Sequence, residues 1–225
     1  MRRDGVMSSS QVRPSPIGRL AYFLILFAGL ILPPVAGRAE SADAADSVRA
    51  FYDVLLSTMR DGEQLGQRGR YAKLEPVILT VFDVPYMTRM AVGPSWSATP
   101  QPKRQQVAEA FGRYITASWA DRFDSYSGEK LEVTDVQPYA AGALVHTRIV
   151  KSNGEPVAID YLMRRNGDTW QIADVYLTGT ISELATRRAE FSSVLRSQGI
   201  DALIAVLNRR AGMMVSAALP SDPAS

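Results

Sequence analysis

The sequence contains no cysteine among its 225 residues. This absence excludes disulfide bonds, thiol nucleophiles, thiolate metal sites and the attachment of lipid to an N-terminal cysteine. Histidine is nearly absent too, because His146 is the only one, and a histidine-rich metal site is therefore excluded. The G-x-S-x-G, P-loop and G-x-G-x-x-G motifs are also missing. These absences predict a protein without a metal ion, a cofactor or a common catalytic motif.

The N-terminal segment combines positive charge with a short apolar run. Four arginines precede 13 uncharged residues, 20–32, and Pro33-Pro34 follows them. A membrane-spanning helix needs about 20 apolar residues, so this run is too short for an anchor. Small residues at Gly37 and Ala39 suit a cleavage site, which predicts a secretory signal peptide at 1–39. The segment carries five arginines and one aspartate, so its removal changes the net charge from +2 to −2 and leaves no basic tract for nucleic acid.

The next zone, from about residue 41 to residue 125, has a helical pattern. Apolar residues recur there at spacings of three and four, as expected for amphipathic helices. We expect Asp61-Gly62 to end the first helix and Pro85 to mark a new start. Thr99, followed by Pro100, is predicted to cap the long helix that carries Phe111.

The period changes to that of strands between residues 130 and 177. Four strands are predicted, at 131–136, 144–150, 157–163 and 170–177. Asn153-Gly154 and Asn166-Gly167 separate the last three strands, and such dipeptides are strong hairpin signals. The sequence therefore predicts a four-stranded antiparallel meander.

The third zone is helical again. Ser182 is expected to cap a helix that Gly199 ends, and Asp201 to begin a shorter one. Residues 211–225 are predicted to form a disordered tail. Helices, a sheet and further helices predict one α+β domain over 40–210, in which a concavity between sheet and helices is the natural ligand site.

Two carboxylates lie within apolar strands, Asp160 and Asp174. A partly buried carboxylate can act as a general base with a raised pKa. The alternative is a structural hydrogen bond, or an ion pair with Arg148 or Arg164. The pattern of residues favours the structural interpretation and leaves catalysis open.

Several short segments stand in a fixed order between residues 48 and 210. They are 82–87 (FDVPYM) with 91–93 (AVG), 96–100 (WSATP), 126–130 (YSGEK), 147–150 (TRIV) with 154–157 (GEPV) and 159–161 (IDY), and 170–175 (WQIADV) with Phe191 and 199–204 (GIDALI). Together they resemble the MlaC family of periplasmic lipid-transport proteins, also called toluene-tolerance auxiliary proteins. The run 179–183 (GTISE) is similar to the hopanoid-associated HpnM branch.

The resemblance implies an NTF2-like fold, with a curved four-stranded sheet and helices enclosing an apolar cavity. It implies a carrier, rather than an enzyme, that moves a phospholipid or a hopanoid between the inner and outer membranes. Its partners would be an inner-membrane transporter of the MCE/ABC or RND type and an outer-membrane acceptor complex. NTF2-like cavities also host isomerases and hydratases, so an enzyme using Asp160 or Asp174, with Tyr161, is the alternative. A chaperone or adaptor without a lipid cavity is a third hypothesis.

The predicted walls of the lipid cavity come from two surfaces. Strand residues are chosen by alternation, since successive side chains point to opposite faces, and an error of one residue would select the wrong set. The predicted lipid-binding residues are Phe82, Met87, Met90, Phe111, Ile115 and Trp119 from the helices, and Val145, Ile149, Ile159, Tyr161, Met163, Ile172 and Tyr176 from the sheet.

Overall fold

The computed structural model of the protein describes residues 36–140 and 142–216, with side chains from residue 42 onward. The predicted signal peptide lies outside the described residues, apart from the backbone of 36–39, which belongs to the first helix. The elements, in chain order, are α1 Ala36–Arg60, α2 Gly62–Val81, α3 Val84–Val92, a 3-10 helix Gly93–Trp96, α4 Gln101–Arg122, β1 Lys130–Tyr139, β2 Gly142–Val150, β3 Pro156–Asn166, β4 Thr169–Leu177, β5 Ile181–Ser182 and α5 Glu183–Ser216.

The end of the first helix and the start of the third agree with the predicted positions. Helix α1 ends at Arg60, directly before Asp61-Gly62. The backbone N–H of Tyr86 donates to the Asp83 carboxylate at 3.0 Å, so an aspartate caps α3 with Pro85 in the first turn.

The prediction that Thr99 caps α4 is wrong. Helix α4 begins at Gln101, one residue later than expected, and the Pro100 carbonyl accepts hydrogen bonds from Lys103 and Arg104. The Thr99 hydroxyl instead donates to the Ser95 carbonyl at 2.8 Å, so it closes the preceding turn. Pro102 falls in the first turn of α4, where a missing N–H costs nothing.

The antiparallel meander of β1 to β4 is confirmed, but the sheet has five strands rather than four. Their order is β1-β2-β3-β4-β5, so each strand pairs with its neighbours along the chain. Strand β5 has only two residues, with Leu177 opposite Ile181 and Tyr176 opposite Ser182. So short a strand carries no alternation, which is why the sequence pattern did not reveal it.

Helix α5 begins as predicted, because the Ser182 hydroxyl accepts the backbone N–H of Ala185 at 2.9 Å. It breaks at Gly199, which has a φ of 81°. Only glycine adopts this conformation without strain. The chain then folds back, so that Arg210 reaches Glu190 at 3.3 Å. The second part of α5 continues to Ser216, so residues 211–216 are helical where a disordered tail was predicted, and residues 217–225 lie outside the described part.

The helices pack against one face of the sheet. Tyr161 on this face lies 5.9 Å from the ring of Tyr52 on α1. Helix α1 lies over β1 and β2, and α4 packs between α2 and α5. The buried Arg70 of α2 fixes α4, because its guanidinium donates to the Ala120 carbonyl at 2.9 Å. This arrangement leaves the β3 and β4 side of the sheet to be covered by α4 and by the start of α5.

Candidate functional site

An apolar cavity lies where α4 and α5 cover β3 and β4. The centre of a water molecule can occupy about 90 Å³ of it, and the space between its walls reaches about 690 Å³ when the open mouth is included. Its lining residues are Phe82, Met87, Phe111, Tyr114, Ile115, Ser118, Trp119, Arg122, Phe123, Ile159, Val175, Leu177, Glu183, Leu184 and Arg187. Apolar side chains dominate this set, as in cavities that bury an apolar ligand.

One face of α4 supplies nearly half of the lining. Residues at 111, 115, 118 and 122 follow the helical spacing of three and four, so they project to the same side. Aromatic contacts order this wall: Trp119 stacks on Phe123 at 5.1 Å between ring centroids and meets Phe82 edge-on at 5.8 Å. Six of the residues predicted from the sequence line this cavity, and that they bind lipid stays a prediction: Phe82, Met87, Phe111, Ile115, Trp119 and Ile159.

A β-bulge in β4 changes which residues face the helices. Leu162 pairs with Asp174 and Met163 with Ile172, so Ala173 is an extra residue in β4. Val175 and Leu177 therefore line the cavity, although simple alternation from Ile172 selects Tyr176.

The structure corrects the prediction for Tyr176. Tyr176 pairs with Asp160, whose carboxylate is on the face opposite Ile159. Alternation holds only for an unbroken strand, and the bulge shifts the remaining residues by one position.

Six other predicted wall residues do not line the cavity. Met90 lies in a separate surface groove beside Trp96. The other five residues are on the helix-facing side of the sheet but pack into the core. Ile149 is partly exposed, and the remaining four are fully buried: Val145, Tyr161, Met163 and Ile172. Helix α1 covers this part of the sheet, and the sequence pattern of the strands carries no information on where a distant helix lies.

Charged residues are found at the mouth. Arg187 donates to Glu183 at 3.1 Å and lies over the Tyr114 ring at 5.2 Å. Arg122 is exposed, and no described carboxylate lies within 4.0 Å of its guanidinium. The mouth is thus polar and positive at one edge, while the interior is apolar.

The sequence analysis missed nine lining residues, Tyr114, Ser118, Arg122, Phe123, Val175, Leu177, Glu183, Leu184 and Arg187. The helical spacing from Ile115 pointed to Ser118 and Arg122, but their polarity excluded them from a search for apolar walls. The start of α5 had no signal of this kind, because its place over the sheet depends on the turn at 178–180.

The two strand carboxylates have structural partners. The Asp160 carboxylate meets Nδ1 of His146 at 3.0 Å, whereas Arg148 pairs with Glu132 and Arg164 with Asp83. The favoured structural interpretation thus agrees with these contacts, but neither of the two named arginines is the partner of Asp160.

Asp174 holds the start of α5. It accepts the Ser182 hydroxyl at 2.6 Å and the Leu184 backbone N–H at 3.0 Å. Burial raises the pKa of Asp174 above its ordinary value, against the opposing effect of these hydrogen bonds. Neither Asp160 nor Asp174 lines the cavity, so within the described residues Glu183 at the mouth is its only carboxylate.

Within residues 36–140 and 142–216, each helix is too short or too polar to span a membrane. No group of three or more histidine, aspartate or glutamate side chains in this part of the chain could hold a metal ion.

The fold and the cavity define a class of α+β proteins in which helices close an apolar cavity against one face of an antiparallel meander. Comparison with known families agrees, because the family model described as "MlaC protein" matches residues 49–209. This match covers most of the chain, and the protein belongs to the MlaC family.

Two individual relatives are similar to the chain. One is the "Intermembrane phospholipid transport system binding protein MlaC" of Haemophilus influenzae, 22% identical over 143 residues, which are 61% of this chain and 66% of that protein. The chain thus matches just under two thirds of that relative's length. The other is the structure of a phospholipid-binding protein from Ralstonia solanacearum in complex with a phospholipid, with a TM-score of 0.67 and 21% identity over 76% of this chain and 98% of that one.

Proposed function

We propose that the protein is a periplasmic carrier that binds a phospholipid by its acyl chains and moves it between the inner and outer membranes. The observation that carries this proposal is the apolar cavity between α4, α5 and the end of the sheet. Membership of the MlaC family and the phospholipid-binding relative support the same ligand class. The name of the Haemophilus influenzae relative supports a place in lipid transport between membranes, and the signal-peptide pattern supports a periplasmic location.

The energetic need for such a carrier follows from the acyl chains. Each methylene exposed to water costs about 0.8 kcal/mol, so two chains with about 28 methylenes cost on the order of 20 kcal/mol. A carrier must offer an apolar surface and keep the polar head group in water. The aromatic wall of Trp119 and Phe123 meets the first requirement, and the mouth between Arg122 and Arg187 meets the second.

The cavity must widen before a whole lipid can enter. Its 90 Å³ is less than the roughly 150 Å³ of an apolar cavity that holds a single benzene molecule. Side chains packed at native density do not yield that much space without movement of a wall. Lipid binding therefore requires one element of the wall to move outward.

The first part of α5, residues 183–198, is suited to this movement, and we call it the lid helix. It lies between two positions with positive φ, Gly179 at 75° and Gly199 at 81°. Only Leu184 and Phe191 of the lid helix are buried. Glu183, Leu184 and Arg187 line the cavity, so moving the lid helix would widen it from the mouth inward.

Lipid analysis of the purified protein tests the proposal. The full chain is exported to the periplasm of its native host or of a hopanoid-producing host, purified without detergent, extracted with organic solvent and examined by mass spectrometry. A carrier is expected to bring about one lipid per protein, and protein that is consistently empty would contradict the proposal.

The lipid found in this experiment also distinguishes a phospholipid carrier from a hopanoid carrier of the HpnM branch. The GTISE run at 179–183 favours a hopanoid, through its similarity to the HpnM branch, and the relatives favour a phospholipid. A hopanoid would pair the carrier with an RND-type exporter, and a phospholipid with an MCE/ABC transporter. We also propose that the fold is NTF2-like, as the family resemblance implies.

A further inference from the structure

A second concave surface lies outside the lipid cavity, between the end of α3, the 3-10 helix and the lid helix. We call it the arginine groove. Met90, Pro94 and Trp96 form its apolar floor, and Arg89 and Arg188 stand at its sides. Met90 and Trp96 are half-buried, whereas Arg89 and Arg188 are exposed.

The walls of the groove are held in place by specific contacts. Arg104 donates to the carbonyls of Trp96 and Ser97, each at 3.1 Å, and its guanidinium lies 5.4 Å from the centre of the Trp96 ring. Gly93 has a φ of 65°, and a Cβ at this position would lie 3.0 Å from Nε of Arg188. Glycine therefore allows the Arg188 side chain to lie against the backbone of the groove.

The charge of the groove is not compensated within the described residues. No carboxylate of this part of the chain lies within 4.0 Å of the guanidinium of Arg89 or Arg188, although Arg89 lies 5.5 Å from the Tyr86 ring. The next residue along the lid helix, Arg187, has two carboxylate partners, Glu183 and Glu190. An occupant of the groove must therefore bring negative charge to its sides and an apolar group to its floor.

We propose that the arginine groove docks an acidic segment of a partner protein, with an apolar side chain on Met90 and Trp96 and carboxylates on Arg89 and Arg188. Arginine pairs well with carboxylates because its planar guanidinium offers two parallel N–H donors. A protein segment fits better than a bilayer surface, because the apolar floor is only three residues wide and lies between two arginines, which matches one apolar side chain flanked by carboxylates. The groove has no lining residue in common with the lipid cavity, so this inference goes beyond the proposed function.

The groove also has a position that links docking to the cavity. Arg188 belongs to the lid helix and directly follows Arg187, which lines the mouth. A partner bound in the groove therefore contacts the helix that covers the lipid cavity. Docking there places the partner in contact with the lid helix, the element that has to move when lipid binds.

Peptide selection on the full exported protein tests the inference. A random peptide library displayed on phage is selected on the immobilised wild-type protein, and enriched peptides are synthesised and titrated by calorimetry and by the intrinsic tryptophan fluorescence of the protein, to which Trp96 in the groove contributes. We expect enriched sequences to place Asp or Glu on both sides of an apolar residue. Their affinity should fall as the salt concentration rises.

Paired variants show where such peptides bind. The charge reversal Arg89→Glu with Arg188→Glu is expected to weaken binding at least about fivefold, from two exposed ion pairs. The control reverses two other exposed arginines, Arg68→Glu with Arg196→Glu, which lie outside the groove lining and should leave affinity unchanged. Thermal unfolding confirms that each variant is folded.

The inference is overturned if no peptide is enriched, if enriched peptides lack acidic residues, or if both double variants weaken binding equally. Sedimentation with phosphatidylglycerol vesicles that depends on Arg89 and Arg188 would assign the groove to a lipid surface instead. Lipid content measured on the groove variants keeps the two proposals apart. Empty wild-type protein that still binds acidic peptides would contradict the carrier function and support the groove.

Discussion

Replacing Val175 by phenylalanine places a larger apolar side chain into the lipid cavity. Val175 is 6% exposed and lines the cavity from β4. A cavity costs about 24 cal/mol per Å³, so filling all 90 Å³ would recover about 2 kcal/mol of unfolding free energy. For a domain of this size that gain corresponds to a rise in Tm of roughly 4–8 °C at most.

The matched control is the same substitution in the packed half of the sheet. Val145 lies in the same cross-strand row, because Tyr161 pairs with Val145 on one side and with Val175 on the other. Val145 is fully buried and does not line the cavity. Overpacking at Val145→Phe is expected to cost about 1–3 kcal/mol.

The assay has two parts. Thermal unfolding of lipid-free protein compares the stabilities of the two variants with that of the wild type, and mass spectrometry measures lipid per protein after export. Val175→Phe should be as stable as the wild type or more stable and should carry less lipid. The reasoning is refuted if Val175→Phe destabilises the fold as much as Val145→Phe, or if it retains the full lipid content.

Three further predictions follow from the geometry. Burial raises the pKa of Tyr52 to about 12. As the pH rises from about 10 to 12, the wild type should therefore lose unfolding free energy relative to Tyr52→Phe, by up to about 1.4 kcal/mol per pH unit. Urea unfolding at stepped pH measures this loss, and parallel curves of unfolding free energy against pH for the two proteins would contradict it. Asp160→Asn should leave lipid content unchanged by mass spectrometry, because its carboxylate pairs with His146 outside the cavity, and loss of lipid from a folded variant would argue against this placement. Because the chain has no cysteine, Glu190→Cys in the lid helix can be joined to Arg210→Cys in the second part of α5 by a cleavable bismaleimide. This linker should slow lipid exchange with fluorescent vesicles until it is reduced, and unchanged exchange would exclude the lid helix as the moving element.

The local elements of the fold could be predicted because each depends on neighbouring residues. The Asn-Gly dipeptides at 153 and 166 marked the β2–β3 and β3–β4 hairpins, Ser182 marked the start of α5, and Gly199 marked its break. Alternation also selected the helix-facing residues of β2 and β3, because no β-bulge interrupts the pairing between these two strands.

The extent of the cavity was decided by contacts between distant parts of the chain. Helix α1 packs over Val145 and Tyr161, so these helix-facing residues belong to the core rather than to the cavity wall. Because of the bulge at Ala173, Val175 rather than Tyr176 lines the cavity, since one extra residue reverses the direction of every side chain after it.

By itself, then, the sequence determined the helices, the hairpins, the order of the strands and the family. These depend on local periodicity, on turn chemistry and on residue order, all of which can be read along one chain. The tertiary structure alone decided which part of the helix-facing surface stays open, where the lid helix lies, and that Arg89 and Arg188 flank one groove. Burial and charge pairing at those sites depend on residues about a hundred positions apart, and no local pattern encodes such distances.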